Sequence, residues 1–208
     1  MSSVLGNWSA PITGVDVAEL QRVIESFDHR CQYCGFQTYL TAQVPLGHFH
    51  VVVRDKRLHS EPANWVPLCD MCVDFNQLDL LEGKGMFIEA PWISQGRLNN
   101  VVRTCYAMTL SSGTEWGDMA QAADRLLRAI DCPPKQWSEM DWKGEPNILQ
   151  EVLEKAPYAF PKSAYLSKLR VRLDRAPYEE AIRYWINPIE RSWFASEYAS
   201  NSGTTQSR

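Results

Sequence analysis

Two cysteine pairs, Cys31-Gln32-Tyr33-Cys34 and Cys69-Asp70-Met71-Cys72, are the residues of this 208-residue chain whose type and spacing point most directly to chemistry. Two intervening residues let both sulfurs of a pair reach one ion. Two such pairs supply the four thiolates of a tetrahedral site, with Zn–S bonds of about 2.3 Å. The pairs stand 34 residues apart, longer than the short zinc-finger spacing but of the same form. Gly35, directly after the first pair, is free to take the positive φ that closes a knuckle. The expectation is one structural Zn²⁺ held by Cys31, Cys34, Cys69 and Cys72, with no coordination position left for water.

Two other readings use the same residues. Disulfides call for an oxidising compartment, and Met1 to Ala10 carries neither the basic n-region nor the apolar h-region of a signal peptide. A thioredoxin-like redox dithiol needs one pair and leaves the other unexplained. Cys105 and Cys132 lie in helix-like surroundings and read as buried apolar fillers.

Between the pairs lies Gly47-His48-Phe49-His50-Val51-Val52-Val53, where a period of two puts His48 and His50 on one face and Phe49 on the other. From the pattern alone, such a pair reads first as a half-exposed strand face. His29, beside the first cysteine pair, reads as a surface histidine, because four thiolates already fill the site.

The elements that must position these residues follow from periodicity. Asp16 caps a helix to about His29, with Val17, Leu20, Val23, Ile24 and Phe27 as its apolar stripe. Thr38 to Arg54, rich in β-branched and aromatic residues and broken by Pro45 and Gly47, predicts a hairpin. A polar loop from Arg54 to Asn64 leads through Trp65-Val66-Pro67-Leu68 into the second pair. Val73 to Leu81 has helical spacing, which would aim a positive helix end at the thiolates. Met86 to Trp92 is an apolar stretch stopped by Pro91. Ser94 caps a helix through Leu110, with Leu98, Val101, Val102, Cys105 and Met108 or Thr109 inward.

A capping box at Ser112 and Glu115 opens a helix to about Ile130 that buries Met119, Ala122, Ala123, Leu126, Leu127 and Ile130. Ile148 to Lys155 reads as another helix, and Ala164 to Leu173 as helix or strand. Pro177 starts a helix with Tyr178, Ala181, Ile182, Trp185 and Ile186 at its spacing, which Ile189 to Tyr198 extends. The organisation expected is an arm and helix over 1–28, a four-cysteine core over 29–82, a helical extension over 83–198 and a disordered tail over 199–208. The fold class is α+β.

Forty-five per cent hydrophobic residues suit a chain that builds a real core. A net charge of −4 argues against a broad grip on nucleic acid, which needs a basic face. Arg54, Lys56 and Arg57 form only a small basic patch. No apolar run approaches the roughly 18–20 residues of a membrane span, so the expected compartment is the cytoplasm. The eight tryptophans either fill the core or anchor a partner.

Helix, knuckle, β-hairpin, knuckle, helix is a layout that resembles the HNH (ββα-metal) nucleases with a four-cysteine zinc. The residues that carry the resemblance are Cys31-x2-Cys34-Gly35, His48 and His50, and Asn64-Trp65-Val66-Pro67-Leu68-Cys69-x2-Cys72. It implies that His50 or His48 stands where the general base stands, with Asn64 at the position that orients it. Phe49 and Val73 occupy the positions of metal ligands, so the resemblance implies the scaffold without nuclease chemistry. An active metal-dependent endonuclease using His48 or His50 with Asn64 and Asp74 is the alternative.

Over most of its length the chain also resembles the DotN (IcmJ) family of Dot/Icm type IVB secretion systems, through Cys-Gln-Tyr-Cys-Gly, Trp-Val-Pro-Leu-Cys-x2-Cys and a helical, Trp-rich remainder. That resemblance implies a cytoplasmic, non-catalytic zinc adaptor, peripheral at the inner membrane. Its partner would be the C-terminal tail of the coupling ATPase, with no small-molecule substrate, no nucleic acid and no membrane insertion. Trp185, Trp193, Phe194 and Tyr198 are the expected anchors for a peptide lying in an apolar groove.

Overall fold

The computed structural model describes residues 9–55, 61–75, 81–111, 117–131, 144–146, 149 and 166–186. Over these residues the protein is mixed α+β, with five α-helices and two small antiparallel sheets.

Helix α1 (Val17–Ser26) starts where the Asp16 carboxylate accepts from the Ala18 N–H at 3.0 Å, and it buries Leu20 and Ile24. Asp28 and His29 then take positive φ, and the His29 N–H returns to the Ile24 carbonyl at 3.0 Å, turning the chain into the first cysteine pair. The Arg30–Gln37 bridge closes the neck of that knuckle.

Strands β1 (Phe49–Val53) and β2 (Trp65–Cys69) pair from Phe49 opposite Cys69 to Val53 opposite Trp65. The hairpin expected over Thr38 to Arg54 is therefore displaced: β1 has its partner after the polar loop, not before it. Residues 38–48 instead fold into turns. The Thr38 hydroxyl donates to the Gly47 carbonyl at 2.7 Å, and Gly47 and His48 both have positive φ, a geometry that ends a strand. Residues 9–12 run along the outer edge of β1, with the Ile12 N–H donating to the Val51 carbonyl at 2.9 Å. Pro67, without an N–H, sits in the other edge strand.

Helix α2 (Asp70–Phe75) follows β2 without a break and starts inside the second cysteine pair, earlier than the expected start at Val73. The rest of that expected helix lies mostly outside the described residues. Strands β3 (Gly85–Glu89) and β4 (Leu169–Leu173) form the second sheet. Within the stretch 164–173, read as helix or strand, Leu169–Leu173 is strand, which makes the extension more than helical. β4 buries Leu169, Val171 and Leu173 at alternate positions, the signature of one covered face.

Helix α3 (Gln95–Leu110) begins at the expected Ser94 cap, packs on β4 and reaches the end of β2 through Arg103 and Cys69. Helix α4 (Gly117–Ile130) lies against α3 but buries only Ala123 and Ile130. Met119 and Leu126, expected inside, are 38% and 45% exposed. Helix α5 (Glu179–Ile186) buries Ala181, Ile182 and Trp185 over the first knuckle. One apolar core runs through the β1–β2 hairpin, α2, α3, the second sheet and α5. The expected helix at 148–155, apart from the buried Leu149, lies outside the described residues.

Candidate metal centre

The first knuckle is shaped by its own backbone. The Cys31 N–H donates to the Phe36 carbonyl at 2.8 Å, the Gly35 N–H donates to the Cys31 carbonyl at 2.9 Å, and Gly35 has φ +73°. The left-handed turn that glycine takes without strain thus brings Cys34 back over Cys31. A further bond, from the Gln32 N–H to the Pro67 carbonyl at 2.9 Å, ties this knuckle to β2, whose last residue is Cys69. Cys72 follows one helical turn later, on α2. The four sulfurs come within 4.8 Å of one another. Cys34 Sγ and Cys69 Sγ are 3.9 Å apart, close to the edge of about 3.8 Å that a tetrahedron of 2.3 Å bonds requires. All five described cysteines are free in this structure.

The expected ligand set is therefore assembled as a possible metal site, and its surroundings fit a cation in it. Four thiols packed this closely share protons unevenly. Hydrogen bonds from Cys31, Cys69 and Cys72, with Arg103 nearby, hold Cys34 far below the usual thiol range. Burial pushes Cys69 and Cys72 well above it. A divalent ion replaces those protons and lets all four sulfurs be thiolates.

Helix α3 supplies a second layer that periodicity did not single out. Four polar side chains are buried among the described residues, and three of them, Gln95, Asn99 and Arg103, stand four residues apart on one face of α3. Asn99 Nδ2 donates to Cys72 Sγ at 3.3 Å. Arg103 Nη2 donates to Cys69 Sγ at 3.1 Å and lies 3.7 Å from Cys34 Sγ. Gln95 Nε2 donates to Asn99 Oδ1 at 2.8 Å, and the Gln95 amide also accepts from the Val171 N–H and donates to the Val171 carbonyl. A relay of amides thus joins a ligand sulfur to the open edge of β4. Burial would lower the Arg103 pKa, but the thiolates of Cys69, Cys34 and Cys72 raise it overall and keep the guanidinium charged. The signal was a polar residue at every fourth position within the inward face of an amphipathic helix. The close approach of α3 depends on Gly96, where a Cβ would stand 2.9 Å from the Tyr33 carbonyl oxygen and 3.3 Å from Cys34 Cα.

His48 and His50 meet a residue not assigned to them from the sequence. Asp70, inside the second cysteine pair, takes His50 Nε2 at 2.8 Å on one carboxylate oxygen and His48 Nδ1 at 3.3 Å on the other. Burial raises the Asp70 pKa and the two imidazoles lower it, with a net shift down. Strand register explains the meeting: Cys69 is opposite Phe49, so Asp70 falls beside the histidines that flank Phe49. The His48 ring also meets Tyr184 edge-on at 5.1 Å.

The other residues named for that chemistry go elsewhere. Asn64 accepts from the Asp55 N–H at 3.1 Å and donates to the Asp55 carbonyl at 2.7 Å, at the far end of the hairpin. Asp74 is held by Lys84 Nζ at 2.7 Å and by the Tyr178 hydroxyl at 2.9 Å. Phe49 and Val73 are core residues. His29 is half-buried in the turn after α1 and outside the cysteine cluster.

Of the expected peptide anchors, Trp185 is buried. Its indole N–H donates to the Gly47 carbonyl at 3.0 Å and its ring packs edge-on to Phe36 at 4.8 Å. Trp185 is thus a strut of the first knuckle rather than an exposed anchor. Trp193, Phe194 and Tyr198 lie outside the described residues. The apolar groove of the described residues lies instead between α3 and α4, about 460 Å³ in volume, with Val101, Cys105, Met108, Met119, Ala122 and Leu126 in its walls. No helix of the described residues is long and apolar enough to cross a membrane. Comparison with known proteins assigns no family, since neither a family model nor a curated protein matches the chain.

Proposed function

We propose that the metal is one structural Zn²⁺ and that the protein is a non-catalytic adaptor in the coupling complex of a Dot/Icm type IVB secretion system. In this reading it works in the cytoplasm, at the inner membrane through its partner, and binds the C-terminal tail of the coupling ATPase. The observation that supports a peptide-binding role is the groove between α3 and α4. Its rim residues Met119 and Leu126 remain 38% and 45% exposed on a helix with a strongly apolar face. Methionine-lined grooves adapt to the apolar face of an amphipathic helix.

The zinc serves this role by folding. It joins two knuckles 34 residues apart and gives α3, one wall of the groove, a surface to dock on. Four thiolates leave it no open position for water.

The test is calorimetry with the full chain and a synthetic tail of the coupling ATPase. Binding is expected for the wild type, and Leu126→Asp is expected to weaken it at least tenfold, about 1.4 kcal/mol, with metal content and melting unchanged. No binding of the tail by metal-loaded wild type overturns the adaptor reading.

The His48–Asp70–His50 cluster favours one rival, a metal-dependent endonuclease of the HNH kind. Plasmid nicking with Mg²⁺ or Mn²⁺ decides it, run beside a His48→Ala/His50→Ala variant. The adaptor reading expects none; nicking that vanishes in the variant establishes the nuclease.

A further inference from the structure

Arg103 is a full positive charge in the core, 5% exposed, and no carboxylate pairs with it among the described residues. Its guanidinium lies 3.9 Å over the Phe36 ring and 5.1 Å from the Trp185 ring, so one face is sealed by aromatic carbon. Nη1 donates to Asn100 Oδ1 at 2.6 Å, Nη2 reaches the sulfurs of Cys69 and Cys34, and Nε has no partner. A buried guanidinium in such a place needs an anion, and the sulfurs are the atoms placed to be one.

We propose that Arg103 is the counter-charge of a divalent metal tetrathiolate and positions the Cys69 and Cys34 sulfurs for the ion. This inference rests on the metal reading of the four cysteines. Four thiolates and one divalent ion sum to −2, and the guanidinium offsets half of that where solvent cannot.

Arg103 therefore acts as a positioning residue that strengthens metal binding. Asn99 adds a neutral donor to Cys72, and Gln95 carries the arrangement to the β4 edge. The same helix also forms one wall of the apolar groove, through Val101, Cys105 and Met108.

The experiment compares full-length wild type, Arg103→Met, Arg103→Lys and Arg103→Gln. Two readouts are needed: metal affinity by chelator competition, and urea unfolding of the metal-loaded protein as the control for folding. The methionine and glutamine variants are expected to lose 10–100-fold in metal affinity, the usual cost of losing an outer-sphere partner. The lysine variant, which keeps the charge, stays closer to wild type.

Equal affinity in the lysine and glutamine variants overturns the proposal. Should the methionine variant fail to fold even with metal, the lysine–glutamine comparison decides alone. A wild type that binds no metal is a different failure, that of the four-cysteine reading itself.

Discussion

Arg103 is difficult to place in any account that leaves the four sulfurs neutral. Breaking a buried charge pair by removing one partner costs about 3–5 kcal/mol, and thiols or a disulfide would remove the partner in effect. The Arg103–Cys69 contact at 3.1 Å ties α3 to the second cysteine pair. Asp70 is a second residue with a readable role. It bridges His48 and His50, and its backbone N–H donates to the His48 carbonyl at 3.2 Å, fixing the strand end that leads into α2. Asp70→Asn removes the charge and one of two acceptors. It is expected to cost about 1–2 kcal/mol at neutral pH, measured by urea unfolding of metal-loaded protein, with metal content unchanged. The cysteines were legible because spacing alone announces them. Asp70 was not, because a residue inside a cysteine pair reads as spacer until strand register shows which histidines it faces. Gln95, Asn99 and Arg103 were passed over because helical periodicity was scored for apolar residues, and a buried polar stripe is invisible to that score.

At the scale of elements, helices with a cap and a stripe were legible: α1 from Asp16, α3 from Ser94 and α5 after Pro177. Strand pairing was not, because a hairpin reading takes the nearest β-prone partner and β1 pairs across the loop to β2 instead. α4 was legible as a helix and misread as a buried one. Its apolar stripe is real, but among the described residues only Ala123 and Ile130 are covered. The contact of α3 with the first knuckle yields a sharp prediction. Gly96→Ala places a methyl 2.9 Å from a backbone oxygen of the knuckle, which has no flexible end to yield. The variant is expected to lose about 1–3 kcal/mol and to bind metal more weakly, since α3 is pushed off the sulfurs it caps. Chelator competition and thermal melting check it, and an unchanged affinity would show that α3 does not support the site.

At the scale of the whole molecule, the four-cysteine site lies where four separate pieces of chain meet: the first knuckle, the end of the hairpin, α3, and α5 through Trp185. The core is continuous across these pieces, so the site is not a finger appended to a finished domain. A chain so arranged should lose the hairpin and α3 together when the ion leaves, because ligand binding and folding are one equilibrium at such a centre. The direct measurement is the metal content of the full chain by native mass spectrometry and elemental analysis, for wild type and Cys72→Ser, followed by unfolding after chelation. The account predicts one zinc per wild-type chain, its loss in Cys72→Ser, and a cooperative drop in stability on chelation. A wild-type chain isolated without metal, or one whose unfolding is unchanged after the ion is removed, would contradict it.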